Sequence, residues 1–418
     1  MRLVWRTVIG CVFIACAAAS ASAETPLTWA EVRDRALSGN PALQAGRIGI
    51  DESKTLETTA FLRPNPQASL TVDQVNFVPT ESTGGVFDNV NIAGNVGYLI
   101  ERQQKRELRR DSAKGDTAIA VSTQADLERN LVFSLRNAFV QVLQAQAFRA
   151  LAETNLANYD QGLALNRERL RAGDIAQLDF DRLELQRVQY EADVQTALVT
   201  LRTAKIQLLR LMNDKTPVDA FDVTGPYDFT ETLPALDTVR QRAIETRPDL
   251  QAALQAVDKA KTDQRLADAN GSVDPTVTVD GGYMPPLNHY VGVNVSVPLR
   301  IFDRNQGEKL RTKLDVTRTE RLTDDARLQV LSDVDTAYAT IESTLALLRP
   351  YKTSYLDQAT RVRDTMSFSY QRGGASLIDF LQAQQDYRDV QVAYVNLIAA
   401  FLNAVNQLNL AVGHEVLP

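Results

Sequence analysis

Cysteine is all but missing from this chain of 418 residues: the only two, Cys11 and Cys16, sit in an apolar N-terminal stretch. Arg2 and Arg6 precede an apolar run from Val8 to Ala19, and Ala21-Ser22-Ala23 has the small-x-small pattern that a leader peptidase cuts. Residues 1–23 therefore read as a signal peptide, with a mature start near Glu24. The run is shorter than the ~20 apolar residues a membrane anchor needs. Without the leader no cysteine remains, which excludes disulfides and thiol chemistry. Ile14-Ala15-Cys16 leaves lipidation at Cys16 as the alternative processing.

Histidine is nearly as scarce. His289 and His414 lie in separate regions, so local sequence assembles no metal site, and no cofactor is implied. An exported hydrolase would have only carboxylates to work with, and no nucleophile and base are visible together, so the chain is not expected to be an enzyme. Positive charge is also short. Removing Arg2 and Arg6 from the 45 basic residues leaves 43 against 52 acidic ones, a net charge of −9, which argues against a nucleic-acid partner. From Gln67 to Ile100 there is no Lys or Arg at all, and no proline falls between Pro79 and Pro217.

What is present comes twice. Val32-Arg33-Asp34-Arg35-Ala36-Leu37, with Pro41, Leu43, Gln44 and Ala45, returns 207 positions later as Val239-Arg240-Gln241-Arg242-Ala243-Ile244, with Pro248, Leu250, Gln251 and Ala252. Gly173 with Asp179-Phe180 and Gly373 with Asp379-Phe380 repeat at a spacing of 200. A duplication of this length organises the whole chain. The expected plan is a first repeat over 24–212, an equatorial linker over 213–234 and a second repeat over 235–418.

Each repeat starts with short helices, Thr28 to Ser38 and Ala42 to Leu62 in the first, and Arg63-Pro64-Asn65-Pro66 stops the second of them. Strand patterns follow over about 67–100 and 272–299. Val90, Ile92, Gly94, Val96, Tyr98 and Ile100 alternate with Asn89, Asn91, Ala93, Asn95, Gly97 and Leu99, while Val291, Val293, Val295 and Val297 alternate with Gly292, Asn294 and Ser296. Hairpin tips are expected near Thr80 to Asp88 and Pro285 to Asn288. A small sheet packed on helices would also give one apolar face. The strand length and the uncharged polar positions favour a membrane strand instead, and three copies of four strands would supply the twelve of a closed barrel.

Helices then run on a scale that no compact domain holds: about 103–170 and 175–212, then 305–371 and 377–412, with Pro350 expected to kink the third. Sixty-eight helical residues span about 100 Å. Repeated apolar spacing such as Leu127, Leu131, Leu135, Ala138, Val142 and Ala145 argues coiled-coil packing. Val390 to Leu410 interleaves Gln391, Asn396, Asn403, Asn406, Gln407 and Asn409 with apolar residues. That suits either the wall of a water-filled tube or an ordinary solvated face.

The order of parts and the turns Arg169-Leu170-Arg171-Ala172-Gly173-Asp174-Ile175-Ala176-Gln177-Leu178-Asp179 and Ser369-Tyr370-Gln371-Arg372-Gly373-Gly374-Ala375-Ser376-Leu377-Ile378-Asp379 resemble the TolC-type family of outer-membrane efflux channels over nearly the whole mature chain. Arg63-Pro64-Asn65-Pro66 and Lys105-Arg106-Glu107-Leu108-Arg109-Arg110 are similar to its CzcC-like heavy-metal branch, although Gln103-Gln104 stands where that branch carries Gly-Gly. The resemblance implies a mainly α fold with membrane β, each repeat giving a β-hairpin and a long coiled-coil helical hairpin. It implies a homotrimer in outer-membrane lipid, a 12-stranded β-barrel continued by a 12-helix α-barrel in the periplasm. The implied partners are a periplasmic adaptor and an inner-membrane pump of the RND type. A periplasmic adaptor or structural coiled-coil protein is the rival reading, but adaptors place one helical hairpin between compact β domains.

In that family the helical tips close the periplasmic end, which assigns Asp179, Asp379 and Tyr370 to a pore constriction. Ala375 replaces an Arg and Gln382 a second Asp of the family pattern, so the constriction is less charged. Rings of Asp179 and Asp379 would favour cations. The other reading is that both only cap the returning helix, where negative charge meets the helix dipole. Gly173 and Gly373 supply the tight turn, and the exposed tips with Arg171, Ala172, Arg372 and Gly374 are the expected adaptor contacts.

Overall fold

The computed structural model describes residues 26–75, 77–78, 81, 85–285 and 288–417. The leader with Cys11 and Cys16, and parts of both expected hairpin tips including Pro79 and Thr80, lie outside the described residues. Thr28 opens α1 (Trp29–Gly39) with a capping box, its amide donating to Glu31 Oε2 at 2.7 Å. Asn40 caps α2 (Pro41–Phe61) by accepting from the amides of Ala42 and Leu43, and Pro41 takes the first helical position, where its missing amide costs nothing.

Strands β1 (Gln67–Asp73), β2 (Asn91–Leu99), β3 (Thr276–Met284) and β4 (Asn288–Ser296) form one antiparallel sheet in that order. Its register sorts the side chains by row. Ala68, Val96, Val279 and Val293 stand in one row and Leu70, Gly94, Gly281 and Val291 in another. The intervening row holds Ser69, Asn95, Asp280 and Gly292. With a side-chain period of two, the sheet therefore has one apolar and one polar face. The apolar face is bare: Leu70 is 75%, Val291 83% and Val293 70% exposed. Tyr98 closes that face at the helical end, and Tyr283, with its ring 5.6 Å from His289, closes the far end.

The long helices are α3 (Lys105–Ala172) and α4 (Gln177–Met212), then, after α5 (Leu236–Thr246) and α6 (Pro248–Asn270), α7 (Gln306–Pro350), α8 (Leu356–Gln371) and α9 (Leu377–Val412). Pro350 acts through hydrogen-bond register: it removes a helical donor, and Tyr351–Tyr355 form a π-helical turn before α8 resumes. At mid-height the short helices seal two cores. Val32 and Ala36 of α1 pack with Leu135, Phe139, Leu208 and Val223, while Val239 and Ala243 of α5 pack with Val334, Ile341, Phe401 and Leu408.

Three amides of α9 are hydrogen-bonded within the chain. Asn406 donates to Asn137 Oδ1 at 2.8 Å and to the Phe133 carbonyl at 3.0 Å, Asn396 accepts from Gln144 at 2.9 Å, and Asn409 holds the tail at Val416 and Leu417. Asn396 and Gln407 stay exposed. The seam between α3 and α9 is thus polar because it is hydrogen-bonded.

Sheet and tube are joined by the basic run that opens α3. Lys105, only 4% exposed, donates to Asp274 Oδ2 at 2.6 Å and to the Ser272 carbonyl at 3.0 Å, while the Arg102 amide binds Asp274 Oδ1 at 2.9 Å. Arg109 forks onto Glu101, and Arg106 and Arg110 lie 4.1 and 4.7 Å over the Phe61 ring. Gln103 and Gln104 enter this joint at φ 57° and 55°, a left-handed pair of the kind glycines adopt without strain. Lys105→Met should cost about 3 kcal/mol by stranding Asp274. In thermal unfolding, Lys105→Met with Asp274→Asn should recover part of that loss, and strictly additive losses would contradict the pairing.

Candidate pore constriction at the helical tips

Both tips are tight turns forced by one glycine each. Gly173 (φ 82°) donates to the Leu170 carbonyl at 3.0 Å and Asp174 to that of Arg169 at 2.9 Å; Gly373 (φ 75°) donates to Tyr370 at 3.1 Å and Gly374 to Ser369 at 2.8 Å. A Cβ on Gly173 or Gly373 would meet nothing within 4 Å, so backbone conformation alone selects glycine. Gly374 lacks positive φ and is not required in that sense. Arg171, Ala172, Arg372 and both turn glycines are exposed, and Arg171 spends its charge on Glu168 at 2.6 Å.

The two aspartates are not equivalent. Asp379 belongs to a capping box: its carboxylate accepts from Ser376 Oγ at 2.8 Å and from the Ser376 amide at 3.3 Å, while its own amide donates to Ser376 Oγ at 3.2 Å. In the first half Ala176 occupies the cap, so no such box forms, and the half-buried Asp179 carboxylate makes no hydrogen bond or ion pair among the described residues.

Tyr370 is inside the tip. Its ring stacks on Phe380 at 4.9 Å with Arg169 5.3 Å above it, and its buried hydroxyl has no partner among the described residues. Burial raises its pKa, and the nearby Asp179 charge adds to the rise against Arg169. The structure thus brings Asp179 near Tyr370 and leaves Asp379 on its own helix end. Phe180 and Phe380, which follow the two aspartates, complete a core with Tyr159, Leu163, Leu183, Tyr190 and Leu377. The sequence marked the Asp-Phe landmark twice, but the structural work falls to the phenylalanines. Arg388 on α9 locks the hairpins together, donating to Asp193 at 3.2 Å and lying 4.8 Å over Tyr190. Among the described residues no three His, Cys, Asp or Glu side chains gather as a metal site.

A four-stranded sheet with one bare apolar face, set on helical hairpins of this length, defines a class: an outer-membrane channel protomer. The fold is that of VceC, the outer membrane protein of Vibrio cholerae, with a TM-score of 0.75 at 18% identity, covering 92% of this chain and 96% of that one. The chain is 22% identical over 391 residues to the cobalt-zinc-cadmium resistance protein CzcC of Cupriavidus metallidurans, covering 93% of this chain and 90% of the relative. It is 24% identical over 377 residues to the pyoverdine export outer membrane protein OpmQ of Pseudomonas aeruginosa, covering 85% and 77%. Residues 239–414 match the outer membrane efflux protein family. That match lies in the second half of the chain, and over those residues the chain is similar to that family.

Asp379→Ala should lower stability by about 1 kcal/mol through loss of the capping box, and Asp179→Ala should leave it within about 0.5 kcal/mol. Tyr370→Phe, which deletes an unpaired buried hydroxyl, should be neutral or stabilising. Thermal midpoints of the three variants check both statements, and equal losses for the two aspartates would contradict them.

Proposed function

We propose that this protein is the outer-membrane exit duct of a three-component export system, assembled as a homotrimer and passive in itself. The observation that carries the reading is the sheet. Among the described residues its apolar face has no cover, and β1 and β4 each leave an edge unpaired. In hydrocarbon such edges are excluded, so the sheet must close with other copies. Three copies give twelve strands, an even number within the range of membrane barrels. The polar face then lines the lumen and the aromatic rows at Tyr98 and Tyr283 mark the two membrane boundaries.

The helices support the same assembly. On α4, Leu178, Leu185, Val199 and Ile206 recur at multiples of seven and are 62, 72, 66 and 51% exposed. On the α7–α8 side, Leu347, Tyr355, Val362 and Phe368 are 56, 46, 48 and 59% exposed. The extra residue of the π-helical turn keeps Leu347 in phase with Tyr355. α4 packs on α3 and α8 on α9, so each hairpin presents an uncovered coiled-coil seam at the edge of the chain. Joining α4 of one copy to α8 of the next closes a twelve-helix tube. The tips, with Arg171, Ala172, Gly173, Arg372, Gly373 and Gly374, meet a periplasmic adaptor, and an inner-membrane pump supplies the energy. Rings of Asp179 and Asp379 at the tip level favour cations, in keeping with a heavy-metal cargo such as CzcC's name describes.

Leu185→Glu with Val199→Glu should convert the purified protein from trimer to smaller species by native mass measurement, since charge on the seam leaves the folded hairpin intact. An unchanged trimer would exclude that seam. In planar bilayers, Asp179→Ala with Asp379→Ala should reduce cation selectivity, and an unaltered reversal potential would sink the acidic rings. Cells lacking the gene should become sensitive to cobalt, zinc or cadmium more than to hydrophobic drugs; unchanged sensitivity to all of them would count against export.

A further inference from the structure

Leu131, Leu135, Ala138 and Val142 of α3 correspond, 199 positions on, to Val330, Val334, Ala337 and Ile341 of α7, and in each half these residues seat the short helix on the long one. At the same offset Arg136 corresponds to Asp335. In the second half Asp335 accepts from Arg240 Nε at 2.7 Å and Nη2 at 2.8 Å, a fork that holds its carboxyl below the usual range. The first half has Arg33 in place of Arg240, and Arg33 is taken up by Asp34 at 3.3 Å. Arg136 is left with the Trp29 ring at 4.7 Å and no hydrogen bond or ion pair among the described residues. Burial lowers its pKa, opposed only by the charge of Glu415.

This guanidinium lines a cavity of about 530 Å³ between α1, α3, Pro248 at the start of α6 and the end of α9. Two further donors from the same lining are unsatisfied: Trp29 Nε1 and Arg129 Nε are buried without acceptors. Arg129 is 11% exposed and its other nitrogens donate to Asp126 at 2.5 Å and to the Leu410 carbonyl at 2.9 Å. Glu128 and Glu415 also line the cavity but form no ion pair among the described residues. Unsatisfied buried donors are uncommon because each forfeits its hydration, and a positive charge without a counter-ion costs more. The buried atoms left unmet in the lining, Trp29 Nε1 and Arg129 Nε, are both donors, so the partner they lack is an acceptor.

We propose that this cavity binds a small oxyanion, a phosphate or a carboxylate-bearing metabolite, with Arg136 as its principal contact. The site draws on both halves of the chain and on the C-terminal turn, so the anion clamps the halves together at mid-height. The inference does not depend on the export reading. In the second half the carboxylate of Asp335, part of the chain itself, takes the corresponding place beside Arg240.

Thermal unfolding of the full-length protein in detergent, titrated separately with sodium phosphate and with sodium citrate against sodium chloride at equal ionic strength, tests it. A saturable rise in Tm with phosphate or citrate and none with chloride is expected, and which anion acts identifies the source chemistry. Arg136→Gln should weaken binding at least tenfold by calorimetry. Arg136→Asp, which reproduces the second-half arrangement beside Arg33, should keep the fold and abolish the response, while Glu415→Gln should tighten binding severalfold by removing a repelling charge. The proposal is overturned if no anion acts, if chloride acts equally, or if Arg136→Gln responds like the natural protein. It is also overturned if Glu415→Gln abolishes a stability that Arg136 confers without any anion, because Glu415 would then be the acceptor.

Discussion

A sheet of four strands whose apolar face is bare and whose two edges are open cannot be a finished structure, and the rest of the molecule is organised around that deficit. Water would penalise the face and hydrocarbon would penalise the edges. Both penalties vanish in the closed membrane barrel proposed above. Everything below the sheet must then hold it at one height and one angle, which explains why the joint at Lys105 and Asp274 is buried and charged where a flexible linker would otherwise serve. The charge is tolerable there because Asp274 accepts from a side chain and from a backbone amide at once, leaving little of either ion unsolvated.

Below the joint the same economy governs the helices. Neither α4 nor α8 buries both of its faces, and neither can exist as a solvated hairpin without exposing a leucine-bearing seam. The short helices α1 and α5 solve the problem at mid-height by covering one side of each pair, which is where the two cores lie. Toward the tips no short helix reaches, and aromatic stacking replaces it: Tyr159 on Tyr190 at 4.4 Å and Tyr370 on Phe380 at 4.9 Å. Aromatic rings supply a large contact area per residue, so a few suffice where the bundle is thin.

The fold was legible because its signals were periodic. Alternation over Val291 to Val297 and the long stretch without proline each report one property many times over, and the structure has β4 over Asn288–Ser296 and α3 over Lys105–Ala172. The site was less legible because it depends on pairings that no period encodes. Nothing in the Val390 to Leu410 pattern says that Asn406 reaches Asn137 and not water. Likewise Gln103-Gln104 looked like a departure from a glycine pair, yet the backbone keeps the left-handed conformation such a pair would supply. The capping box at Ser376 and Asp379 has a local signal, the S-x-x-D spacing, which the first half lacks because Ala176 stands at the cap.

That box bears on how the two aspartates divide the work at the tip. A carboxylate that accepts from a hydroxyl and an amide of its own helix end has its charge partly neutralised there, so Asp379 projects a weaker field than its formal charge suggests. Asp179 has no cap partner, because Ala176 offers none, and its field instead reaches Tyr370 across the hairpins. In the proposed trimer the six carboxylates would therefore not act as one uniform ring. Three would serve mainly as helix caps, fixed in place, and three would carry most of the potential that a passing cation meets. The duplication supplies both positions at the same height, and one residue, Ala176 against Ser376, decides which aspartate does which.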